Sequence, residues 1–365
     1  MKYWRGYLVA AIFACGGWAL SWFAGTYSEF VDMLYPYMTR LIQDGLAAWS
    51  AGTALCLWQI CLLVLVAGVL ASIVLMVVFK WNPVQWFGWT LAVVSFLFLL
   101  NTGLYDLNRY AGDLSEDIHL SVTDPTVTEM EKTTTYFRDK ANELALKLER
   151  DGDGNPVYPA LSDLAQEAGA GFEVLVYEKY MPVFAGSYVP VKELSWSEWY
   201  TAQGMTGATI ALTGESAVNP QVPAVGQPFA ICHEMAHRMC IANDRDANLS
   251  AFLACINSPS EYYQYSGYLA AFRYCFNTLQ TFTTSTGRAA VQRIKSGMTS
   301  ELQADLDVYS SFFKSQDTAA MDSQVSKLLA SWYIQEIALP PQVDDEKKFD
   351  PMDESQVDVP GVSDR

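Results

Sequence analysis

Two of the three histidines in this chain, His233 and His237, stand four residues apart, with Glu234 beside the first. On a helix, residues at positions i and i+4 lie on one face, so both imidazoles can reach a single metal ion. A catalytic zinc ion takes about three protein ligands and keeps a fourth position open for water. A glutamate next to the first histidine can then take a proton from that water. The HExxH spacing therefore predicts a hydrolytic zinc site in which Glu234 is the catalytic base.

The third metal ligand is expected downstream, where Asp244 and Asp246 follow the second histidine closely. On a helix that begins near Asp244 these two side chains differ by about 200° and cannot both face the metal. Asp244 shares its face with Ala247 and Asn248, and the small alanine would let this helix approach the motif helix. We therefore expect Asp244 to be the third ligand, with Asp246 as the less favoured choice. Asn248 is expected to orient a ligand or to cap a turn.

The motif region resembles gluzincin-type metallopeptidases, in which an acid three residues before an alanine is the third zinc ligand; that position maps to Asp244. The chain also resembles a family of bacterial three-span membrane proteins of unknown function that carry HExxH. The shared residues are Thr213-Gly214-Glu215, Asn219, Pro228-Phe229, His233 to His237, Asp244 to Asn248, and Tyr265-Ser266-Gly267-Tyr268. The resemblance implies a zincin-like metallopeptidase domain with zinc as the cofactor and a peptide or protein as the substrate.

The chain departs from the family pattern in two ways. Asp244 and Asp246 stand where the pattern has glutamates, so each carboxylate reaches one methylene less far. Cys240 stands near a glycine of the pattern, where the chain must turn, and a positive φ without glycine costs about 1 kcal/mol or more. Asn243 tolerates that region and is the alternative residue for the turn. A degenerate, weakly active site is therefore the alternative to an active one.

Other residues near the motif carry weaker signals. Glu215 is expected to hold a histidine of the site or to bind a substrate amine, unless it is simply exposed. Tyr265 could donate a hydrogen bond to a developing oxyanion, with aromatic packing as the alternative. The run from Gly207 to Gly214 is β-branched and bounded by glycines, which predicts a strand. Such a strand could pair with the backbone of an extended substrate or belong to the core.

Apolar and acidic residues separate along the chain. It has 365 residues, is 51% hydrophobic and carries a formal net charge of −17. Only four of the 23 basic and three of the 40 acidic side chains lie before residue 106. Three apolar stretches there, about 7–24, 54–79 and 86–104, are long enough to cross a hydrocarbon core of roughly 30 Å. Residues 1–105 are therefore predicted to be a membrane domain with three transmembrane helices, and the protein a multi-pass cell-membrane protein.

The orientation follows from the basic residues beside the spans. Lys2 and Arg5 flank the first span and Lys80 lies in the turn between the second and third, whereas the first loop has only Arg40 against three acids. Basic residues mark the cytoplasmic side, so the C-terminal domain is expected to be extracytoplasmic. An oxidising exterior would permit two disulfides near the motif, and buried free thiols are the alternative. The cysteines concerned are Cys232, Cys240, Cys255 and Cys275.

Residues 106–339 are predicted to form a mainly helical α+β domain with a small sheet. Helices are expected at about 126–150, 158–168, 228–239, 246–256, 258–296, 301–314 and 321–337. A short strand is also expected at 173–177, where apolar and polar residues alternate. Residues 340–365 are acidic and poor in aromatics, which predicts a disordered tail.

The sequence thus predicts an α-rich, membrane-anchored zinc metallopeptidase that hydrolyses peptide bonds. Its expected partners are the lipid bilayer and a peptide or protein substrate, and the acidic soluble part argues against nucleic acid. The main alternative is a non-enzymatic membrane sensor or accessory protein whose zinc site is structural or lost. A fourth protein ligand at the metal would favour that alternative, and an open fourth position would favour the peptidase.

Overall fold

The computed structural model describes residues 2–314 and 316–339, which are mostly helical with one small sheet. The first four α-helices are α1 (Arg5–Thr26), α2 (Ser28–Ser50), α3 (Leu57–Val78) and α4 (Pro83–Leu104). The others are α5 (Leu114–Asp117), α6 (Val127–Ala145), α7 (Leu161–Glu167), α8 (Gly169–Tyr177), α9 (Ser197–Ala202), α10 (Gln227–Arg238), α11 (Asp244–Asn257), α12 (Glu261–Gln280), α13 (Ser285–Ser296), α14 (Ser300–Phe312) and α15 (Ala319–Tyr333). The strands are β1 (Lys192–Glu193), β2 (Gly207–Ile210) and β3 (Glu215–Val218). The predicted tail, 340–365, lies outside the described residues.

Helices α1, α3 and α4 are long and apolar enough to cross a membrane, which is compatible with a multi-pass membrane protein. They lie within a few residues of the predicted stretches. Helices α1 and α4 pack together. They run in the same direction, as shown by the contacts of Gly6 with Gly88 and of Gly17 with Phe98. The parallel packing brings the C-terminal ends of α1 and α4 together. The residues that follow α4 therefore begin at that end of α1 and away from its N-terminus.

The segment between the first two spans is helix α2 and not the loop expected from the sequence. It packs on the C-terminal domain through polar contacts. Arg40 Nε donates to the carbonyl of Met239 at 3.2 Å, and Asp44 Oδ1 accepts from the backbone N–H of Ser187 at 2.9 Å. Helix α2 is amphipathic, and charged and polar residues recur along it. It therefore does not stand out as an uncharged apolar stretch in the sequence. Helix α2 is consequently part of the same structure as the motif.

The core of the C-terminal domain is built around helices α10, α11 and α12, against which α6, α8 and α15 pack. Every residue of α11 from Asp246 to Cys255 is buried. A helix buried on all its faces must lie inside the domain and not on its surface. These central helices fix the position of the motif helix α10 from one side, and the small sheet contacts it from the other.

The sheet has the strand order β1-β3-β2, with β1 parallel and β2 antiparallel to the central strand β3. The predicted strand 207–214 is therefore confirmed for its first half, and a turn completes it. Gly214 ends that turn at φ +65°, and a Cβ there would lie 2.6 Å from the backbone nitrogen of Ala47 in α2. Only glycine meets both conditions. The turn thus docks the sheet onto α2 and leaves β2 at the sheet edge.

The predicted strand at 173–177 is wrong, because this segment forms the second half of α8. Phe172 and Leu175 are both buried and stand three residues apart, as on one face of a helix. A five-residue alternation is too short to distinguish the two periods. The predicted helix 258–296 is divided into α12 and α13, where Thr284 caps the second helix by accepting from Gly287 N.

Candidate metal centre

The HExxH motif lies on helix α10, which begins at Gln227 and has Pro228 in its first turn. Proline suits this position because the first backbone N–H groups of a helix have no intrahelical partner. His233 and His237 lie one turn apart on the same face, and their side chains are 13% and 14% exposed. The two imidazoles therefore face the cavity described below while the rest of the helix is packed in the core.

The hydrogen bonds of the two imidazoles leave their Nε2 atoms facing each other at 3.1 Å. Nδ1 of His237 lies 2.8 Å from the carbonyl oxygen of Ile241, which can only accept, so Nδ1 carries the proton. Nδ1 of His233 lies 3.0 Å from Oδ1 of Asn248 and donates to it in the same way. When both rings are neutral, their Nε2 atoms present lone pairs to one another, and a shared cation would stabilise this arrangement. Against the effect of burial, the Asp244 carboxylate raises the pKa of His237, so without a cation a proton on His237 Nε2 can take that place.

Asp244, the first residue of α11, completes a group of three possible ligands. Its Oδ1 lies 3.3 Å from Nε2 of His237 and 3.8 Å from Nε2 of His233. Ligands about 2.0–2.2 Å from a tetrahedral zinc ion lie about 3.3–3.6 Å from one another. The three atoms all lie within 4.8 Å of each other, and no further His, Cys, Asp or Glu of the described residues joins this group. The donor set and its spacing therefore fit zinc with one position left open.

Asp246 faces away from the histidines, as the helical geometry of the two acids predicts. Its carboxylate pairs with Arg245 at 2.9 Å and accepts from the backbone N–H of Leu114 at 3.3 Å. Its side chain is only 5% exposed. Asp246 thus joins α11 to the first residue of α5.

The turn between α10 and α11 is made by Cys240, whose φ is +70°. The expectation that Asn243 takes the positive φ is wrong: Asn243 has φ −88° and caps α11 by accepting from Arg245 N. The Cys240 thiol is buried and accepts from the Thr39 hydroxyl at 3.3 Å. Contacts with α2 therefore hold the backbone conformation that glycine would adopt without strain.

Glu234 is buried beside the histidines and is held by the sheet. The Thr209 hydroxyl donates to its Oε2 at 2.8 Å, and the Ser216 hydroxyl donates to its backbone carbonyl at 2.9 Å. Gly207 is required here, because a Cβ at that position would lie 2.6 Å from the backbone carbonyl oxygen of Ala217 and also 2.6 Å from Oε1 of Glu234. Burial raises the pKa of the Glu234 carboxyl to about 7. The group can therefore exchange a proton near neutral pH.

These residues line a cavity of about 630 Å³. All four residues of strand β2 line it as well, together with Tyr105, which follows α4. The hydroxyl of Tyr105 donates to the backbone carbonyl of His237 at 2.8 Å. The candidate metal centre consequently lies beside the C-terminal end of α4. The cavity is also lined by residues of α12, α14 and α15, among them Arg273, Tyr274 and Tyr309.

A family model described as "Protein of unknown function (DUF3810)" matches residues 30–332. The matched segment covers most of the chain and includes most of α2, the motif helix and most of α15. The chain belongs to the DUF3810 family. No curated protein and no solved structure matches it.

Tyr265 is placed away from the cavity of this DUF3810 chain. Its side chain is fully buried, and its hydroxyl donates to Oδ2 of Asp305 at 2.5 Å. Asp305 in turn pairs with Arg150 at 2.7 Å. The oxyanion role expected for Tyr265 is therefore not supported by its position, because its hydroxyl is already committed to a buried network. The packing alternative describes its contacts better.

Glu215 is likewise directed elsewhere than expected. Its carboxylate accepts from the backbone N–H groups of Leu57 and Trp58, each at 2.8 Å, and pairs with Lys192 at 2.5 Å. Two N–H groups at the start of a helix have no intrahelical partner, and a carboxylate satisfies them well. Glu215 therefore holds the N-terminus of the spanning helix α3 and does not contact the histidines or a substrate position. It is buried, which corrects the alternative of simple exposure.

Sequence reasoning did not identify three contacts of the DUF3810 site. Thr209 lies in a predicted strand, and its hydroxyl is the one feature of the sequence that could have suggested a hydrogen bond to a residue of the site. Tyr105 and Arg273 reach the cavity from elements distant in sequence, so no spacing reveals them. The cysteine alternatives are also resolved: the four near the motif are buried free thiols and not disulfides.

Proposed function

We propose that this protein is a membrane-anchored, zinc-dependent metallopeptidase. The observation that carries the proposal is the convergence of His233, His237 and Asp244 within 4.8 Å, beside a buried glutamate. Two imidazoles and a carboxylate form a ligand set found in hydrolytic zinc sites, and structural sites are closed by a fourth protein ligand instead. The described residues supply three ligands, which favours the enzyme over a structural site.

Each residue of the centre has a distinct part in the proposed reaction. His233, His237 and Asp244 would hold the metal, and Asn248 would keep the first imidazole in the tautomer that binds it. Zinc, when bound, supplies a polarised water and a positive charge for the substrate carbonyl. Glu234 would accept the proton of the attacking water and deliver it to the leaving amine.

Strand β2 supports a peptide as the substrate. It is an edge strand, and all its residues line the cavity beside Glu234. An extended peptide could therefore add to the sheet through backbone hydrogen bonds, with its cleaved bond over the metal centre. The hydrogen bond from Tyr105, at the end of α4, to His237 supports a site close to the membrane surface if α4 is a span. We infer that the substrates are peptide segments close to the membrane surface, on the side opposite Lys2, Arg5 and Lys80, which is the exterior by the charge argument.

The test uses the purified full-length protein in detergent with a mixed peptide library, and cleavage products are identified by mass spectrometry. Removal of the proton acceptor in Glu234→Gln should lower cleavage by about 10²–10⁴-fold while zinc is retained. Glu193→Gln is the matched control, because Glu193 is exposed on strand β1. A chelator should abolish cleavage and added zinc should restore it. Zinc binding without cleavage of any peptide would overturn the proposal and favour the sensor alternative.

A further inference from the structure

The cavity that the two histidines line also contains a buried arginine. Arg273 of α12 lines the cavity, yet its side chain is only 3% exposed. Three aromatic rings surround its guanidinium carbon: the centroids of Tyr274, Phe313 and Tyr309 lie at 4.4, 4.7 and 5.6 Å. Rings at these distances attract the cation and restrict its orientation. The guanidinium is therefore preorganised before any ligand arrives.

The hydrogen-bonding capacity of Arg273 is not met by the protein residues that the structure describes. Its one ion pair is with Asp322, whose Oδ1 lies 3.5 Å from Nη1, and its Nε has no partner among those residues. The other carboxylate oxygen of Asp322 is occupied by Asn277 at 3.0 Å and Thr318 at 2.8 Å. Burying charged donors without acceptors is costly, so such groups commonly mark a ligand position.

The arginine and the metal centre belong to one continuous space. Both line the same cavity, and Phe229, four residues before His233 on α10, packs on Tyr274 with ring centroids 6.4 Å apart. A peptide held at the metal centre would therefore extend toward Arg273. The planar guanidinium presents a fork of N–H donors that matches the two oxygens of a carboxylate.

We infer that Arg273 binds a carboxylate of the substrate, so that the cleaved bond lies at a fixed distance from an acidic side chain or from a free C-terminus. This inference rests on the proposed peptidase function, which it deepens by naming the substrate class. Asp322 offsets the arginine charge while the cavity holds no substrate. The structural alternative is that Arg273 only packs among the aromatic rings and its partner Asp322.

The first experiment leaves the protein unchanged. A peptide library is offered to the wild-type protein in two forms, one native and one with all carboxyl groups converted to methylamides. Acidic residues or chain ends should be enriched at one position relative to the cleaved bond, and amidation should reduce cleavage there at least tenfold. Enrichment of Asp and Glu within chains would identify side-chain recognition, whereas cleavage at a constant distance from the chain end would identify the C-terminus. Equal cleavage of both forms would overturn the inference and leave the peptidase proposal intact.

The second experiment measures binding independently of cleavage. Zinc-loaded Glu234→Gln protein is immobilised, and the retention of native and amidated peptides is compared. Native peptides should be retained at least tenfold better. The preference should be lost in Glu234→Gln/Arg273→Gln and weakened in Glu234→Gln/Arg273→Lys, which keeps the charge without the fork. Arg293→Gln in the same background is the control, because Arg293 is 58% exposed and pairs with Glu131 on the surface.

The two experiments separate the possible failures. Retention that depends on carboxylates and Arg273, without cleavage by the wild-type protein, would support the anion site and contradict the peptidase. Cleavage with no carboxylate preference in either experiment would contradict the anion site alone. The melting temperatures show whether the Arg273 variants fold. If they do not, the comparison of native and amidated peptides on the proteins that keep Arg273 still decides whether the cavity prefers carboxylates.

Discussion

The hydroxyl of Thr209 donates a hydrogen bond of 2.8 Å to Oε2 of Glu234. This contact joins the edge strand β2 to the proposed catalytic base, so one element both orients the base and offers an edge to a substrate. Ser216 on the neighbouring strand holds the backbone of the same glutamate at 2.9 Å. A shift of the sheet would consequently move Glu234 with it.

The buried Glu234 carboxyl should make the zinc-free protein sensitive to pH. Burial raises its pKa from 4.5 to about 7, so the folded state favours the protonated form. Its stabilising contribution is therefore complete below about pH 4.5 and is lost as the pH rises through about 7. With zinc chelated, Glu234→Gln should be more stable than wild type at pH 8, by at most about 3 kcal/mol, and no more stable at pH 5.

The measurement is the melting temperature of both proteins in detergent with a chelator, with Glu193→Gln as the control. Added zinc should shrink the difference at pH 8, because a nearby cation stabilises the ionised carboxylate. A difference that does not change with pH would contradict this account of Glu234.

The two aspartates that follow the motif should differ in their effect on zinc. Asp244→Ala removes a ligand and should abolish zinc retention after dialysis. Asp246→Ala removes an ion pair with Arg245 and should cost at most about 10–100-fold in affinity. Metal analysis of both variants decides which aspartate is the third ligand. The assignment of Asp244 is wrong if the Asp246 variant loses zinc and the Asp244 variant keeps it.

The buried pair of Glu215 and Lys192 should act on stability and not on zinc affinity. Their side chains are 0% and 8% exposed, and breaking a buried pair costs about 3–5 kcal/mol. Glu215→Gln should therefore lower the melting temperature strongly, whereas Glu193→Gln on the adjoining strand should not. Reduced zinc affinity at unchanged melting temperature would instead support the role near the metal that the sequence suggested.

The proposed orientation predicts the behaviour of a reporter fused after Pro340. The parallel packing of α1 and α4 places the domain opposite the N-terminus, and the basic residues near the N-terminus assign that end to the cytoplasm. A reporter active only in the cytoplasm should be silent at this position, and one active only outside should give a signal. The reverse pair of results would overturn the orientation.

What the sequence predicted correctly depends on short-range geometry. The shared face of His233 and His237 and the different directions of Asp244 and Asp246 follow from the helical repeat alone. The apolar helices follow from composition in the same way. The binding of zinc by these ligands stays a prediction, because the ligand geometry does not show which ion, if any, the site takes up.

What the sequence did not predict depends on contacts between distant elements. Glu215 meets Leu57 across 158 positions, and Tyr265 meets Asp305 across 40. Cys240 keeps a positive φ because Thr39, 201 positions earlier, packs against its thiol. No local pattern encodes such partners, so the roles inferred for Glu215, Tyr265 and Asn243 did not match their positions.

The central claim is tested most directly by the zinc content of the purified full-length protein. We expect one zinc ion per chain in the wild type and almost none in His233→Ala or His237→Ala. The third histidine provides the control. His119 is exposed and has φ +56°, a conformation that asparagine tolerates, so His119→Asn should keep both the backbone conformation and the bound zinc. Unchanged zinc content in the His233 and His237 variants, or a wild-type protein that takes up no zinc, would contradict the account.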